Sequence, residues 1–502
     1  MSGRISLVLV MAAVMLGGSG ARADVTPASL FSDHMVLQQG MPVPVWGKAE
    51  PGEQVTVELG SQKQTATAGA DGKWIVRLTE LKSSPQAVEM TIAGKNTLTI
   101  KDVLIGEVWL GSGQSNMEFS VSKKAKYFAG VNDEAKEIAA ADFPQIRMFT
   151  VKMKLTDQPQ DDCVGQWQVC SPETVGAFSA VGYFFSRDLQ QAIHLPVGFI
   201  NTSYGASTAQ AWISKDVLDA DPQFSQLMST FAQTLAKWDA RGTSPAAAAP
   251  TTAPAGRAAR GKARNPHQDQ HNPTLLWNAM LHPVQPFAIR GALWYQGESI
   301  TGSTAQFTAL TETLITSWRK QWGEGDFPFY FVQLAALDNN SNKPEVREAQ
   351  AQVLAIPNTA MAVTIDIGDK ANVHPKDKQD LGDRLARIAR ANVYGEKIEP
   401  SGPLYQSMQV EGSTVRITFS HVGGGLVAKG GDLKTFEIAG KDGKFVPASA
   451  TIDKETVVVS SPDVAVPTAV RYAWNRWPEG CNLYNADGLP AAPFRTDPAA
   501  MP

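Results

Sequence analysis

The sequence predicts an α/β fold in which a parallel-sheet domain is flanked by an N-terminal and a C-terminal β-rich domain. Residues 24–102 run in short apolar–polar alternations broken by Gly, Pro, Asn and Asp. From residue 103 onward, apolar runs alternate with stretches of helical periodicity, the pattern of a parallel α/β sheet. Past residue 398 short β-branched runs return. A length of 502 residues leaves room for roughly three domains with sizeable cores.

Residues 1–23 read as a signal peptide. Arg4 precedes an apolar run from Ile5 to Leu16, and Ala21-Arg22-Ala23 supplies a small-x-small cleavage site before Asp24. The run is too short to span a bilayer, and no later segment is long and apolar enough to do so. The mature chain is therefore expected to be exported, periplasmic or secreted, with no transmembrane segment. The formal net charge of −4 argues against a nucleic-acid partner, which would call for a basic stripe.

Within residues 24–102, the runs 43–46, 54–59, 73–78 and 88–92 have the character of a small antiparallel β-sandwich. With few aromatic residues expected at its surface, it reads as a buttress rather than a sugar-binding module. Residues 103–397 form the α/β domain, with strands at 103–110, 146–151, 196–202, 289–295, 329–334 and 360–365. Helices are expected at 180–193, 306–322 and 378–392. An Ala/Pro-rich, basic stretch around 238–270 reads as a disordered surface insertion. Residues 398–502 form the second β-rich domain, built on runs 408–419, 435–438, 456–459 and 470–474.

Three cysteines, Cys163, Cys170 and Cys481, fit an oxidising compartment without a disulfide framework. Cys163 and Cys170 either close a small loop or remain buried thiols. The seven histidines are scattered without zinc-site spacing, and neither a metal nor a cofactor is expected.

The chemistry gathers at strand ends. Residues 103–110 are followed by Gly111 and Gly113, then Ser115, which a tight turn would hold proud of the backbone. A second strand ends at Tyr204-Gly205, and a third at Gln296-Gly297-Glu298. A fourth apolar run ends at Asp366, with His374 further along the loop and the helix 378–392 behind it. Carboxyl ends of one parallel sheet converge on one crevice. Ser115 is a poor nucleophile alone, and His374 has the right unperturbed pKa to take its proton. The N–H groups of Ser115 and Gly205 and the amide of Gln296 are candidate donors to an oxyanion.

Gly113-Gln114-Ser115-Asn116-Met117, Trp294-Tyr295-Gln296-Gly297-Glu298 and Val373-His374-Pro375-Lys376-Asp377-Lys378-Gln379 together resemble the sialate O-acetylesterases, a branch of the SGNH (GDSL-like) hydrolases. Met35-Val36-Leu37-Gln38-Gln39 and Tyr472-Ala473-Trp474-Asn475-Arg476-Trp477-Pro478 extend the resemblance to nearly the whole mature chain. The resemblance implies an SGNH-type three-layer hydrolase domain and removal of O-acetyl groups from an acetylated carbohydrate. It also implies Ser115 as nucleophile, His374 as base, and Gly205 and Gln296 in the oxyanion hole. SGNH hydrolases commonly place an aspartate three residues before the histidine; here that position is Ala371, followed by Asn372. Asp366 is the expected orienting carboxylate, ahead of Asp369, and a Ser115–His374 dyad is the alternative.

Two rival readings stay open on the residues alone. Glu118 and Glu298 could form a glycosidase pair, or the chain could bind sugar with an inactive hydrolase core. The aromatic residues Trp212, Trp294 and Tyr295 could stack on sugar rings, although core packing is the expectation. The acetylated sugar itself, sialic acid or a plant-type glycan, is not specified by these motifs.

Overall fold

In the computed structural model, which describes residues 24–242, 264–300, 302–338 and 344–497, the strand Thr97–Gly113 runs through two sheets. Up to Asp102 exposed and covered positions mix; from Val103 to Gly113 every residue is buried. The first part meets solvent on one face. The second is covered on both faces, and such strands read as continuous apolar runs. The two parts of the strand meet at residue 102. There Asp102 adopts φ 55°, its carboxylate held by Arg147 at 2.6 Å and His34 at 2.7 Å.

The first part pairs antiparallel with Ser84–Ala93, which pairs with Gln54–Leu59, which pairs with Gln62–Thr67. A second antiparallel sheet of Thr26–Pro27, Val43–Lys48 and Lys73–Leu78 joins it around Val45, Val55, Val57, Val76 and Leu78, all buried. The second part is the middle strand of a larger sheet. Its order is Trp167–Cys170, Phe143–Thr150, Val197–Asn201, Thr97–Gly113, Gly291–Tyr295, Phe329–Val332, Thr359–Ala362. All neighbours are parallel except the edge strand Trp167–Cys170.

Successive residues of Thr97–Gly113 feed two cores. Trp109 packs with Phe185 of the helix Ala180–Ile193 and with Leu385 of the helix Lys378–Asn392. Leu110 belongs to the other core, with Leu314 and Trp318 of the helix Thr304–Trp322. Burying side chains of this size contributes about 1.5–3 kcal/mol each. Trp212, Trp294 and Tyr295 are all buried, so none is available to stack on a ligand. The helix Lys378–Asn392 comes close to Ala180–Ile193 because Gly382 has no side chain. A Cβ there would lie 2.3 Å from the Cβ of Phe184.

The run 408–419, read as one strand, is a hairpin: Leu404–Glu411 and Thr414–Ser420 pair antiparallel around Gly412, whose φ of 64° suits glycine. They join Thr456–Ser460 and Ser449–Asp453, beside a sheet of Phe445–Pro447, Phe436–Ala439, Ala469–Tyr472 and Phe494–Arg495. Buried Arg347 ties this region to the central sheet, donating to the carbonyls of Leu334, Ala335, Asn475 and Arg476.

Residues 238–242 belong to the helix Ser225–Gly242. Across the insertion, His267 bridges Asp157 at 2.8 Å and Asp239 at 2.9 Å. Both flanks of the stretch read as disordered are thus ordered, while 243–263, like the signal-peptide stretch 1–23, lie outside the described residues. Cys163, Cys170 and Cys481 are free, and burial pushes the Cys163 and Cys170 thiols up to about 12. No helix among the described residues is long and apolar enough to cross a membrane.

Candidate active site

Close packing forces the turn that presents Ser115. A Cβ on Gly111 would lie 2.2 Å from the Phe199 ring, and one on Gly113, at φ 132°, would lie 2.2 Å from the Tyr295 carbonyl. Neighbouring strand ends are laced to the turn: Gln114 N–H donates to Tyr295 at 3.0 Å, Thr202 N–H to Gly111 at 2.8 Å, and Tyr204 N–H to Gly113 at 3.0 Å. Ser115 then opens the short helix Ser115–Glu118, so its N–H is among those a helix start leaves without an intrahelical partner.

His374 meets it there. Its Nε2 lies 2.8 Å from the Ser115 Oγ. The loop that carries it is wound by side chains accepting from its own backbone: Asp369 Oδ1 takes the N–H groups of Ala371 and Asn372 at 2.9 and 3.1 Å. Asn372 Oδ1 takes that of His374 at 3.0 Å. The Phe128 ring covers the imidazole with centroids 4.7 Å apart. Burial, aided by the charge of Lys378, lowers the His374 pKa to about 4, so the ring is neutral at neutral pH.

Asp366 does not orient His374, which corrects the expectation above. Its carboxylate accepts a two-pronged pair from Arg384 at 2.7 and 2.8 Å and a third bond from Tyr484 at 3.0 Å. A carboxylate beside a buried guanidinium is held by that charge, and here it joins the sheet end to the C-terminal region. Asp369 does not take its place, since it serves the loop backbone. Among the described residues no carboxylate bonds the imidazole.

Gly205 falls beside the serine: a Cβ there would lie 3.6 Å from the Ser115 Cβ. Its N–H donates to no backbone carbonyl among the described residues. Gln296 follows the adjacent strand Gly291–Tyr295. Its Nε2 makes two long bonds of 3.4 Å to the carbonyls of Ser207 and Ser299, and its Oε1 is buried without a partner.

A polar network lies behind the pair that sequence reasoning did not single out. Glu298 accepts from Gln114 and from Asn116, each at 2.5 Å. Asn116 also donates to the Val373 carbonyl at 3.0 Å and accepts from Lys378 at 2.7 Å. Burial lowers the Lys378 pKa to about 7 and raises that of Glu298, whose carboxylate end is its enclosed part. The signal was present, because Gln114, Asn116, Glu298 and Lys378 all lie within the quoted motifs. Glu118 is engaged elsewhere, in an ion pair with Lys126.

The family described as carbohydrate esterase, sialic acid-specific acetylesterase matches residues 264–391, which include Gln296 and His374. Sialate O-acetylesterase of Mus musculus is 31% identical over 522 residues, with 93% of each chain covered. This chain belongs to the sialate O-acetylesterase family. The Homo sapiens sialate O-acetylesterase is 30% identical, covering 97% of this chain and 95% of its own. A crystal structure of a carbohydrate acetylesterase from Xanthomonas citri superposes with a TM-score of 0.80 at 34% identity, covering 94% of this chain and 100% of that one. As a member of the sialate O-acetylesterase family, the chain is a carboxylic ester hydrolase.

Proposed function

We propose that this esterase removes O-acetyl groups from carbohydrates through an acetyl-serine intermediate, with Ser115 and His374 as a dyad. The 2.8 Å contact between Ser115 Oγ and His374 Nε2 carries this reading. Ser115 Oγ attacks the acetyl carbonyl carbon as His374 Nε2 takes its proton. The resulting oxyanion is met by the N–H groups of Ser115 and Gly205, and by the Gln296 amide, whose 3.4 Å bonds are long enough to give up easily. Collapse breaks the bond to the sugar oxygen, which leaves with the proton from the imidazolium. Water, activated by the same nitrogen, then releases acetate.

With no carboxylate to orient it, His374 is held by the Phe128 ring and by the Asp369–Asn372 loop. A glycosidase reading fits less well. Glu298 has both oxygens bound, by Gln114 and Asn116, so it is not free to pass a proton across a glycosidic bond. An inactive core would have no reason to keep the Ser115–His374 bond. The helices on both faces of the central sheet support an SGNH-type three-layer domain, buttressed by the N-terminal sheets and closed by the β-rich residues 398–502. The stretch 1–23 supports export to the periplasm or beyond.

The relatives' names favour O-acetylated sialic acids as substrates, and that of the Xanthomonas citri enzyme favours acetylated carbohydrates more widely. Acetate release across a panel of O-acetylated sialic acids and acetylated xylo-oligosaccharides decides between them. Ser115→Ala should reduce release by on the order of 10⁴–10⁶ without unfolding the turn, since Ser115 itself is only half-buried. Near-native release from the folded variant would exclude the mechanism.

A further inference from the structure

The residues between Glu118 and Val131 place an unusual combination beside Ser115. Among the described residues Tyr127 is the only Phe, Tyr or Trp whose side chain is largely exposed, at 89%. Its neighbour Phe128 lies tilted against the His374 ring, and the Tyr127 ring stands edge-on to Phe128 with centroids 5.4 Å apart. The exposed ring is thus one side chain removed from the base. It is not carried on a loose tip: Ser122 Oγ donates to Glu134 at 2.6 Å, and Lys123 N–H to the same carboxylate at 3.1 Å. Val131 N–H donates to the Val121 carbonyl at 3.1 Å.

Lys126, the residue before Tyr127, pairs with Oε1 of Glu118. The other oxygen, Oε2, accepts no hydrogen bond among the described residues, and it lies 2.9 Å from where a Gly205 Cβ would be. An open acceptor therefore borders the Ser115–Gly205 corner, its carboxylate's other oxygen paired with an ammonium, while an exposed ring stands one side chain from the base. A single exposed ring needs no explanation. An exposed ring one side chain from the base, together with a charged pair beside Gly205, is the composition of a sugar subsite, in which the apolar face of a pyranose stacks and its hydroxyls meet charged groups.

We propose that Tyr127, Glu118 and Lys126 form the subsite that holds the pyranose bearing the ester. The Tyr127 ring packs on the C–H face of the sugar. Glu118 Oε2 accepts from a hydroxyl next to the acetylated one, and Lys126 donates to a second oxygen. The inference rests on the sugar-esterase reading and narrows its substrate to O-acetylated pyranoses with a free neighbouring hydroxyl.

The test compares kcat/KM for an acetylated xylo-oligosaccharide and for 9-O-acetyl sialic acid with that for ethyl acetate, an ester without a sugar. Tyr127→Ala should lower the value for whichever sugar ester the wild type uses by roughly three- to thirtyfold more than for ethyl acetate. Most of that loss should lie in KM, and Tyr127→Phe, which keeps the ring, should recover it. Equal losses on sugar and sugarless esters, or a change below twofold on both, would overturn the subsite while leaving the esterase reading intact. A wild type that hydrolyses ethyl acetate but no acetylated sugar would overturn both.

Discussion

The ammonium of Lys378 donates to Asn116 Oδ1 at 2.7 Å, joining the helix that follows His374 to the residue that follows Ser115. The two residues of the proposed dyad come from opposite ends of the α/β region, and this buried bond is one of the ties that keep them in register. It also places a positive charge where it opposes protonation of the imidazole.

That charge should be visible in the pH profile. The His374 pKa of about 4 means that activity is present above that pH and is lost as pH falls through it, because only the neutral ring accepts a proton. Lys378→Met removes a charge that disfavours imidazolium, so the acid limb of kcat/KM should move upward by about one unit. An unmoved limb with normal folding would show that Lys378 is not felt at the base.

Asp366→Asn should act on stability rather than on chemistry. The change leaves the Arg384 guanidinium buried without its counter-charge, which costs about 3–5 kcal/mol when a buried pair is broken. The denaturant midpoint should fall accordingly, while kcat of the folded enzyme stays within tenfold of wild type. A loss near 10⁴ in kcat, the size seen when a triad aspartate is removed, would restore Asp366 to the catalytic set.

Gln296→Ala should lower kcat by roughly 10²–10³ with little change in KM if its amide turns to the oxyanion in the transition state. A rise confined to KM would make Gln296 a ground-state binding residue. Steady-state kinetics on one acetylated sugar is sufficient.

Gly382→Ala sets a Cβ 2.3 Å from the Cβ of Phe184. Overpacking of this kind costs about 1–3 kcal/mol, so Tm should drop. The helix it displaces is the one anchored behind His374, so kcat should fall with it. A variant as stable and active as wild type would show that the two helices can part without moving the loop.

The strands of the central sheet and the Ser115, Gly205 and His374 positions were legible because they sit where apolar runs stop at glycines or polar loops, a one-dimensional signal. The role of Asp366 was not. Its position at a strand end looked catalytic, but its partners are Arg384, on the next helix, and Tyr484, far along the chain, and no local pattern announces them. The hairpin at Gly412 was hidden for a related reason, since alternation on both sides of a tight turn reads as one run. Aromatic residues near the motifs invited a stacking role that burial of Trp212, Trp294 and Tyr295 removes. Tyr127, in a stretch without periodicity, gave no hint of its exposure.

The strand Thr97–Gly113 makes the N-terminal sheets poor candidates for exchange or truncation. Trimming the chain back to the α/β region would strip the hydrogen-bonding partners from the first part of that strand, and a bare, extended edge invites self-association. Ser115 would then ride at the tip of a lever whose far end had come loose. A graft of this β-unit between relatives would have to carry the whole strand with it, nucleophile turn included.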